Sequence, residues 1–349
     1  MEFKIGNTLV GDNHPTFIVA EMSANHNGSL DEAIEIVRSA KRSGANAIKI
    51  QTYTANTITV NSNKEDFLIS KDSPWNSHKT LWNLYDAAHT PWEWHHKIFN
   101  EAKRLGLEFF SSPFDNTAVD FLEELDVGAY KIASPEITNI PLIKKVAKTG
   151  KPIIISSGLS EFDDLDLAVK TLRQLKSENI CILKCTTAYP SPVNEINLLT
   201  IPDIVKKFKV ISGLSDHTLG SVAPIANTVL GGAIIEKHLV LDNKNSVDSF
   251  FSLEETEFKK MVDDIRYIEQ ALGNVNYKVT KSASKSIKNR SSLYITKKIK
   301  KGDILSNDNI KAVRPGLGLH PKYLEDIIGK IAVKDIDVGE RLSWDLIKE

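Results

Sequence analysis

From its start to about residue 272 the chain alternates short apolar runs with longer amphipathic ones. The first apolar run covers residues 17–21, and the second is Ala47-Ile48-Lys49-Ile50-Gln51. Between them Ser29 opens a helical pattern, and Glu32 three residues on completes a capping box. Ala33, Ile34, Ile36, Val37 and Ala40 share one face of that helix, and Gly44 ends it. Strand, helix, strand in this order predicts parallel pairing with a right-handed crossover. The rhythm repeats, with strands expected over 107–112, 129–134, 152–156, 180–186, 210–215 and 233–238. Helices are expected over 92–105, 117–125, 140–149, 164–175, 201–207, 222–230 and 258–272. Eight strands and eight helices within about 270 residues predict a (β/α)8 TIM barrel over residues 1–273. A doubly wound open sheet fits less well, because it would gather polar residues at one switch point. Here they follow nearly every strand.

Two stretches break the rhythm. The connection from Thr52 to about Thr90 is long and carries Lys64-Glu65-Asp66-Phe67, Trp75 and Trp82-Asn83-Leu84-Tyr85. Long connections in compact domains are usually lids or binding loops, and the apolar residues argue against disorder. Residues 274–288, rich in Lys and Ser, read as a linker. Beyond it, residues 289–349 predict a small β-rich module built on an internal repeat. Residues 299–310 align without gaps on 336–347, with Ile, Gly, Leu, Ser, Asp and Ile in register. Arg314-Pro315-Gly316-Leu317-Gly318 lies between the copies.

Composition narrows the function classes. A net charge of −1 sets up no global field toward nucleic acid or an anionic membrane, so neither is an expected partner. No basic and apolar leader opens the chain, and no apolar run approaches the ~20 residues of a membrane span. A cytoplasmic protein is expected. Cys181 and Cys185 in an extended run would have Cα atoms roughly 13 Å apart, too far for a disulfide.

In a barrel the residues ending the strands converge on one face. Gathered there are Glu21, Lys49, Gln51, Ser112, Lys131, Ser134, Glu136, Ser156, Lys184, Thr186, Ser215, His217, Glu236 and His238. Alternation pairs Ser215 with His217 and Glu236 with His238 on two consecutive strands, which suits a metal or an anionic reaction centre. Histidines alone would suit Zn, Mn, Fe or Co. Lys49 and Lys131 stand between apolar neighbours and point inward, where an ammonium needs an anionic partner. With strand-end hydroxyls beside them, they suggest a phosphate or carboxylate ligand. No glycine-rich phosphate loop is present, which favours a small phosphorylated metabolite over a nucleotide. His14, His78, His89, His95 and His96 sit in loops or a helix, where solvated or packing roles are expected.

These motifs resemble the sialic acid synthase family, whose members condense phosphoenolpyruvate with an N-acetylated amino sugar. The resemblance runs the length of the chain. It rests on residues 20–28 (Ala-Glu-Met-Ser-Ala-Asn-His-Asn-Gly), Lys49-Ile50-Gln51-Thr52, Ser111-Ser112-Pro113-Phe114, Tyr130-Lys131-Ile132-Ala133-Ser134, Ser215-Asp216-His217 and Ile235-Glu236-Lys237-His238. The C-terminal module resembles the antifreeze-like (SAF) domain of the same enzymes. Trp75, residues 64–67, 84–85 and 90–95, Leu183-Lys184-Cys185-Thr186 and residues 314–321 resemble the pseudaminate branch.

The resemblance implies a set of roles. His217 and His238 would hold a divalent metal, Mn2+ or Mg2+. Lys49, Ser112, Lys131, Ser134, Ser156, Lys184, Thr187 and Ser215 would hold phosphoenolpyruvate. Glu21, Glu136, Glu236, Tyr189 and Asp248 would orient the sugar or move protons, with Glu21 and Glu136 undecided between acid and base. Arg314 would reach a partner subunit's sugar in a domain-swapped homodimer. Ser112 replaces the family's usual Thr and keeps the hydroxyl, whereas Thr187 for Asn and Lys184 for His are changes that fit the pseudaminate branch. The product would enter surface polysaccharide or flagellin glycosylation. Phe250 and Phe251 are candidates for an apolar patch facing a 6-deoxy sugar. N-acetylneuraminate or legionaminate synthesis is the alternative within the family. A metal-dependent pyruvate aldolase and a non-catalytic assembly scaffold are the readings outside it.

Overall fold

The computed structural model describes residues 1–242 and 246–348. It divides into two compact units, Met1–Gly273 and Asn274–Glu349.

In the first unit, eight parallel strands close into a barrel: β3 (Phe17–Glu21), β4 (Ala47–Thr52), β5 (Glu108–Pro113), β6 (Tyr130–Ile132), β7 (Ile153–Ser156), β8 (Ile180–Cys185), β9 (Ile211–Asp216) and β10 (Ile234–Val240). β10 pairs with both β9 and β3, so the sheet has no free edge at its seam. Strand alternation divides the core in two. Ile18, Ile48, Ile50, Ile155, Ile182 and Ile235 face outward and pack on the helices. Phe17, Val19, Ala47, Phe110, Ile154, Leu183 and Ile234 fill the interior.

The first crossover helix, Leu30–Arg42, starts at Ser29, whose side chain accepts from the Glu32 amide at 3.3 Å. Only half of the expected capping box forms, because the Glu32 carboxylate accepts instead from Asn27 Nδ2 at 2.9 Å. Gly44, at φ +84, supplies the left-handed turn into β4.

The sequence reading missed an antiparallel hairpin at the N-terminus, β1 (Glu2–Ile5) and β2 (Thr8–Gly11). Its Phe3, Ile5 and Val10 pack into the same cluster as the interior residues and stopper the N-terminal end of the barrel. A two-residue β11 (Leu253–Glu254) pairs with β10. β6 ends at Ile132, and Ser134 falls in a 3-10 turn, Ser134–Thr138, rather than on the strand. No helix among the described residues is long and apolar enough to cross a membrane.

In the second unit, residues 274–291 are exposed. The remainder is mostly irregular around one antiparallel pair, β12 (Ser292–Ile295) and β13 (Ile310–Val313). The internal repeat has a structural counterpart. Ile299, Leu305, Ile310, Ile336, Leu342 and Ile347 all enter one core. Ile299 and Ile336 exchange backbone hydrogen bonds at 3.0 and 2.9 Å. The amides of Gly302 and Gly339 donate to Ala332 O and Ile295 O, both at 2.9 Å, related by the same 37-residue offset. The two copies are folded alike about a pseudo-twofold.

Candidate active site

The C-terminal ends of the strands surround a cavity of about 520 Å³. Strand register alone makes much of its floor. Cys185 lies opposite Ser215, Ser215 opposite Glu236, His238 opposite Glu21, and Glu21 opposite Lys49. All the residues singled out for the site by the sequence reading line the cavity except Lys184, Thr186, Phe250 and Arg314.

Lys184 requires a correction. Leu183, Cys185 and Thr187 occupy the inward phase, so Lys184 points the other way and donates to Cys185 O at 2.6 Å and Thr186 Oγ1 at 3.4 Å. Phe251 lines the cavity, whereas Phe250 lies behind it, 5.0 Å from the Phe251 ring and 41% exposed. Arg314 belongs to the second unit and is exposed there.

The buried lysines already have counterions. Lys49 Nζ lies 2.8 Å from Glu21 Oε2 and 3.6 Å from Glu236 Oε1, and it donates to Ser112 Oγ at 3.3 Å. Lys131 Nζ donates to both Glu236 oxygens at 2.9 and 3.1 Å. Burial works against the Lys49 charge, but Glu21 and Glu236 outweigh it and hold the ammonium above its ordinary value. The two carboxyls diverge. Burial also opposes the Glu236 charge, yet Lys131 and Lys49 bring it below the usual range. Glu21 is raised, because burial and the Glu236 charge exceed what Lys49 returns. Two ammoniums against two carboxylates leave this floor close to neutral.

Glu136 stands apart. Its Oε2 is buried without a hydrogen-bond partner among the described residues, and burial raises its carboxyl to about 8. It is therefore an uncharged acid at neutral pH. Ser156 Oγ is likewise buried and unpartnered. Nearby, Ser134 Oγ accepts from the Gly158 amide at 3.0 Å. A Cβ at Gly158 would stand 2.1 Å from Thr187 Oγ1, 2.8 Å from Ser134 Oγ and 2.9 Å from Cys185 Sγ. Only glycine leaves that pocket of donors open.

On the opposite wall His217 and His238 have ring centroids 5.3 Å apart. His217 Nδ1 lies 3.0 Å from Thr186 O, which places the proton on that nitrogen and leaves Nε2 a lone pair. His238 Nδ1 is buried without a partner among the described residues. Burial, then His217, Lys49, Lys131 and Lys237, keep His238 neutral well below its ordinary value. Tyr189 lies against His217 at a centroid distance of 4.5 Å, and Phe251 lies against both rings, 4.7 Å from His238 and 5.9 Å from His217. On the same side Asp248 accepts from Ser23 Oγ at 2.5 Å, and Ser23 accepts from Gln51 Nε2 at 3.1 Å. Asn25 secures this segment, donating to Leu239 O and Ser252 Oγ at 2.9 Å each. Ser23 and Asn25 therefore hold the segment that carries Asp248 and Ser252.

Behind the imidazoles, Asp216 and Lys237 face outward between helices, each side chain 1% exposed. Lys237 Nζ donates to Asp216 Oδ2 and to Thr218 O at 2.5 Å, and Asp216 accepts from the Thr218 amide at 3.0 Å. The pair ties β10 to the turn that carries His217. Lys237→Met strands a buried carboxylate and is expected to cost about 3–5 kcal/mol in denaturant unfolding. A loss below about 1 kcal/mol would show the pair to be energetically idle.

The sequence reading left several lining residues without a role: Tyr53, Tyr85, Phe114 and Cys185. For Cys185 the signal was available, two positions beyond inward Leu183. The aromatic residues depend on loop conformation. His95, assigned a solvated or packing role, is buried and packs, its Nε2 2.9 Å from Thr52 Oγ1.

Comparison with known proteins agrees with this arrangement. The NeuB family model matches residues 36–277, and the SAF domain model matches residues 290–348. The chain is 45% identical to a pseudaminic acid synthase of Campylobacter jejuni over 94% of this chain and 95% of that one. It is 38% identical to an N,N'-diacetyllegionaminic acid synthase of the same species, over 93% and 98%. Among solved structures, the N-acetylneuraminic acid synthetase of Leptospira borgpetersenii, crystallised with citrate, superposes with a TM-score of 0.73 at 30% identity. That match covers 82% of this chain and 95% of that one. A closed barrel with lysines, hydroxyls and paired imidazoles at its C-terminal rim, followed by an SAF domain, places the chain in the NeuB family of sialic acid synthases.

Proposed function

We propose that the protein condenses phosphoenolpyruvate with 2,4-diacetamido-2,4,6-trideoxy-L-altrose and water, releasing phosphate, as a pseudaminic acid synthase. It is a transferase that forms a carbon–carbon bond. The observation that carries this reading is a single cavity joining a lysine and hydroxyl floor to two adjacent imidazoles and an uncharged carboxylic acid. The higher identity to pseudaminate than to legionaminate synthase supports the choice of sugar.

Phosphoenolpyruvate would lie over Lys49 and Lys131, with Ser112, Ser134, Ser156, Thr187 and Ser215 donating to its phosphate and carboxylate. The unpartnered Ser156 hydroxyl and the space above Gly158 fit such an anion. Glu21, the raised carboxyl, is the one suited to take up a proton as the anion arrives, leaving Lys49 to the ligand. Gly158→Ala is expected to raise the KM for phosphoenolpyruvate at least tenfold with little change in KM for sugar. Steady-state phosphate release with each substrate varied checks this, and equal effects on both would overturn the placement.

His217 and His238 would hold the divalent metal. The lone pair on His217 and the unpartnered nitrogen of His238 fit a metal, while the described residues gather no group of three or more His, Cys, Asp or Glu side chains at one point. Such a metal, Mn2+ or Mg2+, supplies Lewis acidity toward the sugar aldehyde. Tyr189, Asp248 and Gln51 would orient the open-chain sugar so that its aldehyde carbon faces C3 of phosphoenolpyruvate. C3 forms the new bond, C2 gains cationic character, water adds there, and the adduct collapses by C–O cleavage. Glu136 would donate the proton that the aldehyde oxygen takes up as it becomes a hydroxyl. Glu236, held by Lys131 and Lys49, stays charged and faces the developing cation.

The family resemblance supports a homodimer in which Arg314 of the partner subunit contacts the sugar's acetamido group. The reading also places the enzyme in the cytoplasm. The test is phosphate release from phosphoenolpyruvate with Mn2+ and, separately, the diacetamido-altrose, its legionaminate counterpart and N-acetylmannosamine. Selective release with the altrose is expected. Release only with another sugar would overturn the branch, and none with any would favour an aldolase or a scaffold.

A further inference from the structure

The cavity has two chemically different halves. The floor, made by strand ends, is charged and hydroxylated. The mouth is largely built by the segment from Tyr53 to Ala88, which lines it with Ile58, Ile69, Trp75, Leu81, Leu84 and Ala88, beside Ser73 and the two tyrosines Tyr53 and Tyr85. No charged residue of that segment lines the cavity. The segment is internally organised. A Leu68–Thr80 antiparallel bridge and a bond from the Ile69 amide to Lys79 O at 2.9 Å close a loop with Trp75 on it. The Trp75 indole donates to Val247 O at 3.0 Å, and its ring sits edge-on to Tyr189 at 5.6 Å. The loop is thereby fastened to two other rim loops, one of which carries Asp248. Sugar atoms held between Asp248, Tyr189 and the Ile58, Ile69, Leu81 and Leu84 side chains of this segment meet hydrocarbon.

We propose that the Tyr53–Ala88 segment is the selectivity wall for the sugar, packing its C6 methyl and acetamido methyl groups against Ile58, Ile69, Leu81, Leu84 and the Trp75 ring. This rests on the condensation reading above. A hydroxyl at C4 or C6 seated against Ile58, Ile69, Leu81 and Leu84, away from Ser73 and the tyrosine hydroxyls, would be desolvated without a partner, so hydroxylated hexosamines are disfavoured. Each methyl-sized group misplaced in an apolar pocket changes selectivity by roughly 10–200-fold. The wall adds the long connection to Phe251, which lines the cavity, in place of Phe250, which does not.

Leu84→Asn keeps the side-chain size and removes the apolar contact. Trp75→Phe keeps a ring and removes the bond to Val247 O. The experiment measures kcat/KM of the wild type and both variants with the diacetamido-altrose and with N-acetylmannosamine, together with KM for phosphoenolpyruvate. Leu84→Asn is expected to narrow the ratio of the two sugars at least tenfold, with KM for phosphoenolpyruvate within about twofold. Trp75→Phe is expected to narrow it by a smaller factor. Ratios unchanged within threefold in folded variants would overturn the wall while leaving the reaction intact. A wild type that turns over N-acetylmannosamine but not the diacetamido sugar would overturn the reaction reading itself.

Discussion

Replacing His238 by alanine is expected to lower kcat/KM for condensation about a thousandfold and to abolish metal retention. The magnitude follows from Lewis-acid stabilisation worth several kcal/mol, at about 1.4 kcal/mol per tenfold in rate. The structure explains why this one ring matters so much. His238 is buried, one of its nitrogens has no partner among the described residues, and the surrounding cations keep it unprotonated. It is a lone-pair donor over the whole working range of pH. His217 has one nitrogen committed to Thr186 O, so it cannot substitute for a lost neighbour. Metal content after dialysis against a chelator, set beside phosphate release, separates the two effects. Re-addition of Mn2+ should restore chelated wild type and leave the variant inactive. Retained metal with activity within tenfold of wild type would remove His238 from the metal site. His14→Ala is the control, because that histidine pairs with Glu2 at the exposed N-terminal hairpin.

Much of the site was legible because a barrel converts strand phase into geometry. Lys49 between two isoleucines and Lys131 between Tyr130 and Ile132 declared their inward direction, and the histidines followed from their spacing. The same rule misjudged Lys184 for a physical reason. β8 is buried on both faces, so Ile180-Cys181-Ile182-Leu183 is one continuous apolar run with no visible phase. Only its packing shows that Cys181 and Leu183 are interior and Ile180 and Ile182 face the helices. The counterions of the lysines were hidden for another reason. Glu236 reaches Lys131 across 105 residues of sequence, a pairing set by strand order around the closed sheet. Trp75 and Val247, 172 residues apart, meet only because two rim loops are brought side by side. The N-terminal hairpin was within reach, since Phe3, Ile5, Leu9 and Val10 flank a Gly6-Asn7 turn signal. Its function as a stopper needs the barrel to exist first.

Glu136→Gln should reduce kcat by about 10²–10⁴, the usual span for losing a positioned proton donor. The pH dependence distinguishes this role from simple substrate contact. Burial raises the Glu136 carboxyl to about 8, so its protonated form dominates below that pH and is lost above it. Wild-type kcat should therefore fall as pH rises through about 8, and the glutamine variant should lack that limb. Wild-type stability should fall in the same direction of pH. An unfolded glutamate ionises near its ordinary value of 4.5, whereas the folded one resists until about 8. The fold therefore favours the neutral acid, and this contribution is fully present below about 4.5. It is lost as pH climbs through 8, leaving the ionised form a burden of a few kcal/mol. Glutamine never ionises, so Glu136→Gln should match wild type in denaturant unfolding at pH 4 and exceed it at pH 9. An enzyme made more stable at alkaline pH and less active by the same substitution has kept a destabilising acid for its chemistry. If the variant keeps the alkaline limb, the titrating group is another residue and Glu136 is not the donor.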